Sequence, residues 1–215
     1  MSSKNPQRGL EAALLKAPIV PVMVIEELKH AVPLARALVK GGLPVLEITL
    51  RTAAALDCIK AIVNEVEGAI VGSGTVLDIK QLKASEKAGC VFAVSPGATM
   101  KLVKAAKDHK IALLPGSASA SEAMALLEHG YGLQKFFPAE AAGGAAYLAS
   151  LASPLPQIKF CPTGGITPAL APSYLKLSNV ITLGGSWMAP KALVNEGKWD
   201  EIEKLAREAA ALRPR

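Results

Sequence analysis

Short apolar runs return along this chain at a nearly regular beat. They read "PIVPVMVI" from Pro18, "PVLEITL" from Pro44, "AIVGSGTV" from Ala69, "VFAVS" from Val91, "KIALLP" from Lys110, "GLQKFF" from Gly132, "QIKFCPTGG" from Gln157 and "NVITLGG" from Asn179. Runs of this length and content fit strands buried on both faces of a parallel sheet. Their starts lie roughly 20–26 residues apart, which leaves room for a crossover helix in each gap. The gaps have helical spacing. "DIKQLKASEKAGC" sets Ile79, Leu82 and Ala88 on one stripe and stops at Gly89. "SASEAMALLEHGYG" offers Ser119 or Ser121 as an N-cap, places Leu126 and Leu127 on an apolar face and stops at Gly130. "LKHAVPLARALVKGG" predicts a helix that begins or kinks near Pro33 and ends at Gly41-Gly42. The tail "DEIEKLAREAAAL" lines up Ile202, Leu205, Ala209 and Leu212.

Eight such β–α units predict a small α/β fold, a (β/α)8 or TIM barrel, with an extra N-terminal helix around Leu10–Lys16 closing its bottom. No linker or low-complexity segment divides the chain, so residues 1–215 are expected to form one domain. The competing open, doubly wound sheet would carry G-x-G-x-x-G after the first strand, but Met23 to Lys29 contains no glycine.

Composition narrows the picture. Hydrophobic residues make up 51% and aromatics only 4%, so aliphatic side chains must fill the core. The formal net charge of +6 suits either a plain basic surface or the attraction of anionic metabolites. No long basic run interleaves with aromatics, so no nucleic-acid partner is expected. Cys58, Cys90 and Cys161 are too scattered for a disulfide framework or a zinc site, and they fit a reducing cytoplasm. The chain opens with no export signal, and no apolar run approaches the roughly 20 residues that span a bilayer. A cytoplasmic protein with no membrane partner is expected. His30, His109 and His129 are read as lying in helices or at helix ends away from the strand C-termini, so no metal site is expected.

Barrel chemistry sits at the C-terminal ends of strands. In "VLEITLRT", Val45, Glu47, Thr49 and Arg51 share one face while Leu46, Ile48 and Leu50 share the other. The aliphatic set should meet the helices, which turns Glu47 inward, either as a structural partner of Arg51 or as an acid/base beside a guanidinium able to hold a carboxylate. "VGSGTV" adds Thr75 and two glycines that allow close approach of a ligand or simply make a turn. In "GLQKFF", Leu133, Lys135 and Phe137 share a face. A dry interior disfavours an ammonium relative to the free amine, and a free amine attacks a ketone to form a Schiff base. The bland alternative is an internal ion pair of Lys135 with Glu47. Lys159 is the weaker rival, earlier in its strand and farther from the rim. The last two strands end in "CPTGGI" and "LGGSW", whose Gly164, Gly165, Gly185 and Ser186 suit a phosphate cradle, although tight turns would use glycine too.

"VLEITLRT", "GTV", "SPG", "KFFPAE", "CPTGGI" and "GGSW" stand here in the order found in the 2-keto-3-deoxy-6-phosphogluconate aldolases, and the chain resembles that family, with its 4-hydroxy-2-oxoglutarate branch, from about Pro18 to Arg207. The resemblance implies a class I aldolase that uses neither metal nor other cofactor, acts on a phosphorylated keto acid and assembles as a homotrimer. It implies Lys135 as Schiff-base lysine and Glu47 as acid/base. Arg51, Thr75, Pro96, Phe137 and Thr163 would hold the keto-acid end, and Gly164, Gly165, Gly185 and Ser186 the phosphate. An aldolase confined to 4-hydroxy-2-oxoglutarate or to the galactonate epimer, and a phosphosugar-binding barrel without aldol chemistry, remain alternatives.

Overall fold

The computed structural model describes residues 6–212. Helix α1 (Pro6–Leu14) precedes β1 (Ile19–Met23). Then strands and helices alternate: α2 (Leu28–Lys40), β2 (Val45–Thr49), α3 (Ala55–Glu65), β3 (Ile70–Gly74), α4 (Ile79–Lys87), β4 (Phe92–Val94) and α5 (Met100–Ala106). There follow β5 (Ala112–Leu114), β6 (Gly116–Ser117), α6 (Ala120–Glu128), β7 (Leu133–Phe136), α7 (Gly144–Leu151), β8 (Lys159–Pro162), α8 (Ala171–Leu175), β9 (Leu183–Gly185), α9 (Lys191–Asn195) and α10 (Trp199–Ala210).

The strands pair in parallel, six in the order β5-β4-β3-β2-β1-β9 and three in the order β6-β7-β8. The predicted fifth run is therefore split. Pro115 lies between β5 and β6, and proline has no N–H to give to a ladder. Its carbonyl still accepts from Lys135 N at 2.9 Å. Single bridges Phe160↔Val180 and Thr163↔Gly184 tie β8 to the chain of β9. Among the described residues no helix is long and apolar enough to cross a membrane.

Strand parity divides the core into two layers. Leu46 and Ile48 of β2, Phe136 of β7 and Phe160 of β8 pack outward with helical residues such as Leu34, Leu38, Ile62 and Leu126. Val20, Val45, Phe92, Val94, Leu114, Leu133 and Cys161 pack inward with Leu10 and Leu14 of α1. Full burial of a side chain of this kind stabilises by about 1.5–3 kcal/mol, so each layer is a substantial contribution.

Local signals explain the helix ends. Ser119 accepts from Glu122 N while Glu122 bonds back, a reciprocal capping box at the start of α6. Of the two expectations at Pro33, a helix start there is excluded: α2 starts at Leu28, and Pro33 lies within it. So close to the helix start the proline forgoes one hydrogen bond, to the Lys29 carbonyl. Gly41, the C-cap of α2, also lets α10 approach, since a Cβ there would collide with Ala206.

Candidate active site

The site begins with two charges on opposite parts of the sheet system. Glu47 is the middle residue of β2 and Lys135 the third of β7, and both are almost fully buried, at 3% and 4% exposure. Lys135 Nζ lies 3.2 Å from Glu47 Oε1. A lone buried charge is far costlier than a paired one, so each makes the other tolerable. The Lys135 ammonium also lies 5.4 Å from the centre of the Phe137 ring, which presents its electron-rich face.

Glycine makes room for this pair. A Cβ at Gly74, beside Thr49 in the β2–β3 register, would collide with the Glu47 carboxylate. The sequence leaves the glycines of "VGSGTV" open between close approach of a ligand and a plain turn. The space beside Gly74 is filled by Glu47, and that beside Gly72 by the Phe92 ring. Nothing local in the sequence tells a glycine that admits a ligand from one that admits a distant side chain.

Thr75 follows at φ 58, the one positive-φ non-glycine among the described residues. A β-branched residue there carries strain of about 1–3 kcal/mol. Leu50 N bonds the Gly74 carbonyl at 2.8 Å and Val76 N the Val94 carbonyl at 3.0 Å, which pins the backbone on both sides. Held so, Thr75 Oγ1 accepts from Arg51 Nε at 3.0 Å. The guanidinium itself is exposed. Pro96 is half-buried, and its carbonyl occupies the space a Cβ at Gly116 would need.

On β8, Cys161 stands level with Lys135, and two residues later Thr163 takes the Phe136 carbonyl at 2.9 Å. The Thr163 side chain is buried and fills the space where Gly184 lacks a Cβ. Cys161 was not singled out from sequence, although its parity with Lys159 and Thr163 places it inward. Burial, first of all, pushes its thiol up to about 12; Lys135 pulls down and Glu47 pushes up. It is therefore a packed, unreactive thiol. Gly164 and Gly165 follow at φ 106 and 78, where L side chains strain. Neither N–H meets a backbone acceptor among the described residues. Gly185 ends β9, paired with Pro21, and Ser186 is exposed just beyond it.

Lys159, the rival lysine, is half-buried at the start of β8 and donates to the Ser178 carbonyl at 2.7 Å, away from Glu47. The histidines need one correction. His109 and His129 follow the ends of α5 and α6 as expected, but His30 lies in the first turn of α2, on the side of the strand C-termini. There, in the turn ahead of Pro33, its ring centre lies 5.9 Å from that of Trp199. Among the described residues no three of the His, Cys, Asp and Glu side chains gather into a group that could hold a metal ion.

Residues 10–205 match the family model "Aldolase: KDPG and KHG aldolase". The chain belongs to the KDPG and KHG aldolase family. Within that family it is 51% identical, over 97% of both chains, to the 2-dehydro-3-deoxy-phosphogluconate aldolase of Pseudoalteromonas atlantica. The 2-keto-3-deoxy-6-phosphogluconate aldolase of Zymomonas mobilis ZM4, solved with 3-phosphoglycerate, superposes with a TM-score of 0.92 at 48% identity, covering 96% of this chain and 97% of the other. The KDPG aldolase of Legionella pneumophila, solved with pyruvate captured at low pH as a covalent carbinolamine, gives 0.92 at 41% identity, covering 97% and 100%.

Proposed function

We propose that this chain is a class I aldolase that cleaves 2-keto-3-deoxy-6-phosphogluconate to pyruvate and glyceraldehyde 3-phosphate. The observation that carries this is the buried Lys135–Glu47 pair, formed between β7 and β2, in a chain of this family. A simple phosphosugar binder has no use for an amine held against a carboxylate in the interior.

Lys135 passes its ammonium proton to Glu47 and attacks the C2 ketone as the free amine, and a proton then moves from its nitrogen to the ketone oxygen to give the carbinolamine. Glu47 returns a proton to the carbinolamine hydroxyl, which leaves as water and yields an iminium ion. The iminium draws electrons, so loss of the C4 hydroxyl proton, to Glu47 directly or through a water, breaks the C3–C4 bond and frees glyceraldehyde 3-phosphate. The enamine is then protonated at C3 and hydrolysed to pyruvate, restoring Lys135. The carbinolamine captured in the Legionella relative supports this route.

Arg51 and Thr75 hold the keto-acid carboxylate, their hydrogen bond fixing the guanidinium before substrate arrives. Pro96, Phe137 and Thr163 border the reacting carbons. The remote phosphate falls to Gly164, Gly165, Gly185 and Ser186, a reading supported by the Gly164 and Gly165 amides, which meet no backbone acceptor among the described residues, and by the phosphorylated ligand of the Zymomonas relative. Unphosphorylated 4-hydroxy-2-oxoglutarate, cleaved to pyruvate and glyoxylate, would use the same lysine end. No metal or other cofactor takes part, and EDTA should leave turnover unchanged.

The same reading takes the whole chain as one domain and joins the two sheets into a closed eight-stranded barrel, with β5 and β6 as one strand bent at Pro115 and the Thr163↔Gly184 bridge closing the seam. Helix α1 would plug its bottom through Leu10 and Leu14. We assign the enzyme to the cytoplasm as a homotrimer, a mass that sedimentation equilibrium would measure. The function itself is tested by borohydride reduction in the presence of pyruvate, followed by peptide mapping. An adduct on Lys135 supports it, and a folded protein that binds sugar phosphate without forming any adduct overturns it.

A further inference from the structure

Just past the lysine strand stands a carboxylate that the aldol steps leave unused. Glu140 lies two residues beyond Pro138, and its Oε1 accepts a hydrogen bond from Tyr174 Oη of α8. Tyr174 is fully buried, and burial first, then the carboxylate, push its phenol well above the ordinary range, so it stays a donor. Neither group is hydrogen-bonded to Lys135 or to Glu47. What they touch is the glycine loop. Glu140 N donates to the Gly164 carbonyl at 3.1 Å, and Ala139 N to the Thr163 carbonyl at 2.8 Å. A Cβ at Gly165 would lie 2.9 Å from Glu140 Cβ and 3.0 Å from its Cγ, so the loop rests directly on this side chain. On the far side Gly144, the first residue of α7, comes so close that a Cβ would lie 3.5 Å from both Glu140 Oε1 and Tyr174 Oη. One carboxylate–phenol contact therefore stands where the turn after β7, the loop after β8 and the start of α7 meet.

Two successive positive-φ glycines make an adaptable backbone, and loops of that kind lose conformational entropy when they are ordered. A cradle for an anion works best when its amides are ordered in advance. We infer that Glu140 and Tyr174 are positioning residues for the Gly164–Gly165 loop, and that through it they set the preference for a phosphorylated over an unphosphorylated substrate. The inference rests on the phosphate reading above. A negative charge beside a phosphate cradle would by itself weaken binding. The hydrogen bond and the packing, rather than the charge, are what Glu140 supplies.

The test compares Glu140→Ala, Tyr174→Phe and Glu140→Gln with wild type on 2-keto-3-deoxy-6-phosphogluconate and on 4-hydroxy-2-oxoglutarate. Loss of loop order should raise KM for the phosphorylated substrate about tenfold in the Ala and Phe variants with kcat little changed. Their kcat/KM for 4-hydroxy-2-oxoglutarate and their borohydride trapping with pyruvate should stay at wild-type levels. The Gln variant keeps an acceptor for Tyr174 and should restore KM. Equal losses on both substrates, or unchanged KM in the Ala and Phe variants, would overturn the inference. A Gln variant as impaired as the Ala variant would assign the effect to charge and overturn it as well. A wild-type enzyme that does not distinguish the two substrates would remove the phosphate reading itself, and this inference with it.

Discussion

Lys135 and Lys159 sit on adjacent strands of one parallel ladder and differ in height by two residues. In the β7–β8 register Lys159 stands level with Leu133, and Lys135 level with Cys161. Two residues of strand rise about 6.6 Å. That step separates two environments. The lower lysine is half-buried and gives its ammonium to the Ser178 carbonyl. The upper one is enclosed, 3.2 Å from Glu47 and facing the Phe137 ring. Below, the interior is apolar and filled by Leu10, Leu14, Val20, Val45 and Leu133; above, it turns polar at the strand ends. The same side chain is a surface cation at one level and a candidate nucleophile at the next.

Exchanging the lysines is the strongest way to break that comparison. Lys135→Arg keeps the charge but cannot form the imine, so turnover should fall at least about a thousandfold, with the thermal midpoint close to wild type. Lys159→Arg should leave kcat/KM within about twofold. Comparable activity of the two variants in a coupled pyruvate assay would end the assignment. Next is the carboxylate. Glu47→Gln preserves shape and removes the proton carrier, for an expected loss in kcat of about 10²–10⁴-fold. Single-turnover trapping should then show slow imine formation rather than weak pyruvate binding.

Gly74→Ala sharpens the comparison without touching either charge. The added Cβ meets the Glu47 carboxylate, and displacement of a reacting group by about 1 Å costs on the order of a hundredfold in rate. The lower level should respond in the opposite sense. Leu14→Ala empties part of the apolar floor, so it should cost about 2–5 kcal/mol in urea unfolding while kcat on the folded enzyme stays unchanged.

The smallest effect lies lower still. Glu86 is held below its ordinary value of 4.5 chiefly by the hydrogen bond with His109, at 2.8 Å. A depressed carboxylate adds stability above its unfolded pKa and loses it as pH falls through the lower folded value. Stability measured from pH 5 downward should therefore decline less steeply in Glu86→Gln than in wild type, again with kcat untouched at neutral pH.

How much of this was legible beforehand follows from what is local. Alternation along "VLEITL" assigned Leu46 and Ile48 to the helix layer and turned Glu47 inward, and along "GLQKFF" it put Lys135 on one face with Leu133 and Phe137, because side-chain direction in a strand depends only on parity. The glycines after α2, α4 and α6 marked helix ends for the same local reason: Gly42, Gly89 and Gly130 all take positive φ. Whether α2 would begin or kink at Pro33 stayed open, since proline tolerance near a helix beginning depends on which carbonyl is left unpaired; α2 begins at Leu28, which puts His30 in its first turn, opposite to the expected side.

The sequence by itself determined the parallel βα rhythm, the two faces of each strand and the residue types that aldol chemistry requires. Only the tertiary structure decided that Glu47 and Lys135, 88 residues apart, lie within 3.2 Å, that Gly74 leaves room for Glu47, and that Glu140 meets Tyr174 beside the glycine loop. Periodicity is a property of neighbouring residues, whereas these contacts depend on register and on how far the sheets curl. A sheet brings distant strands face to face only when the whole of it has formed.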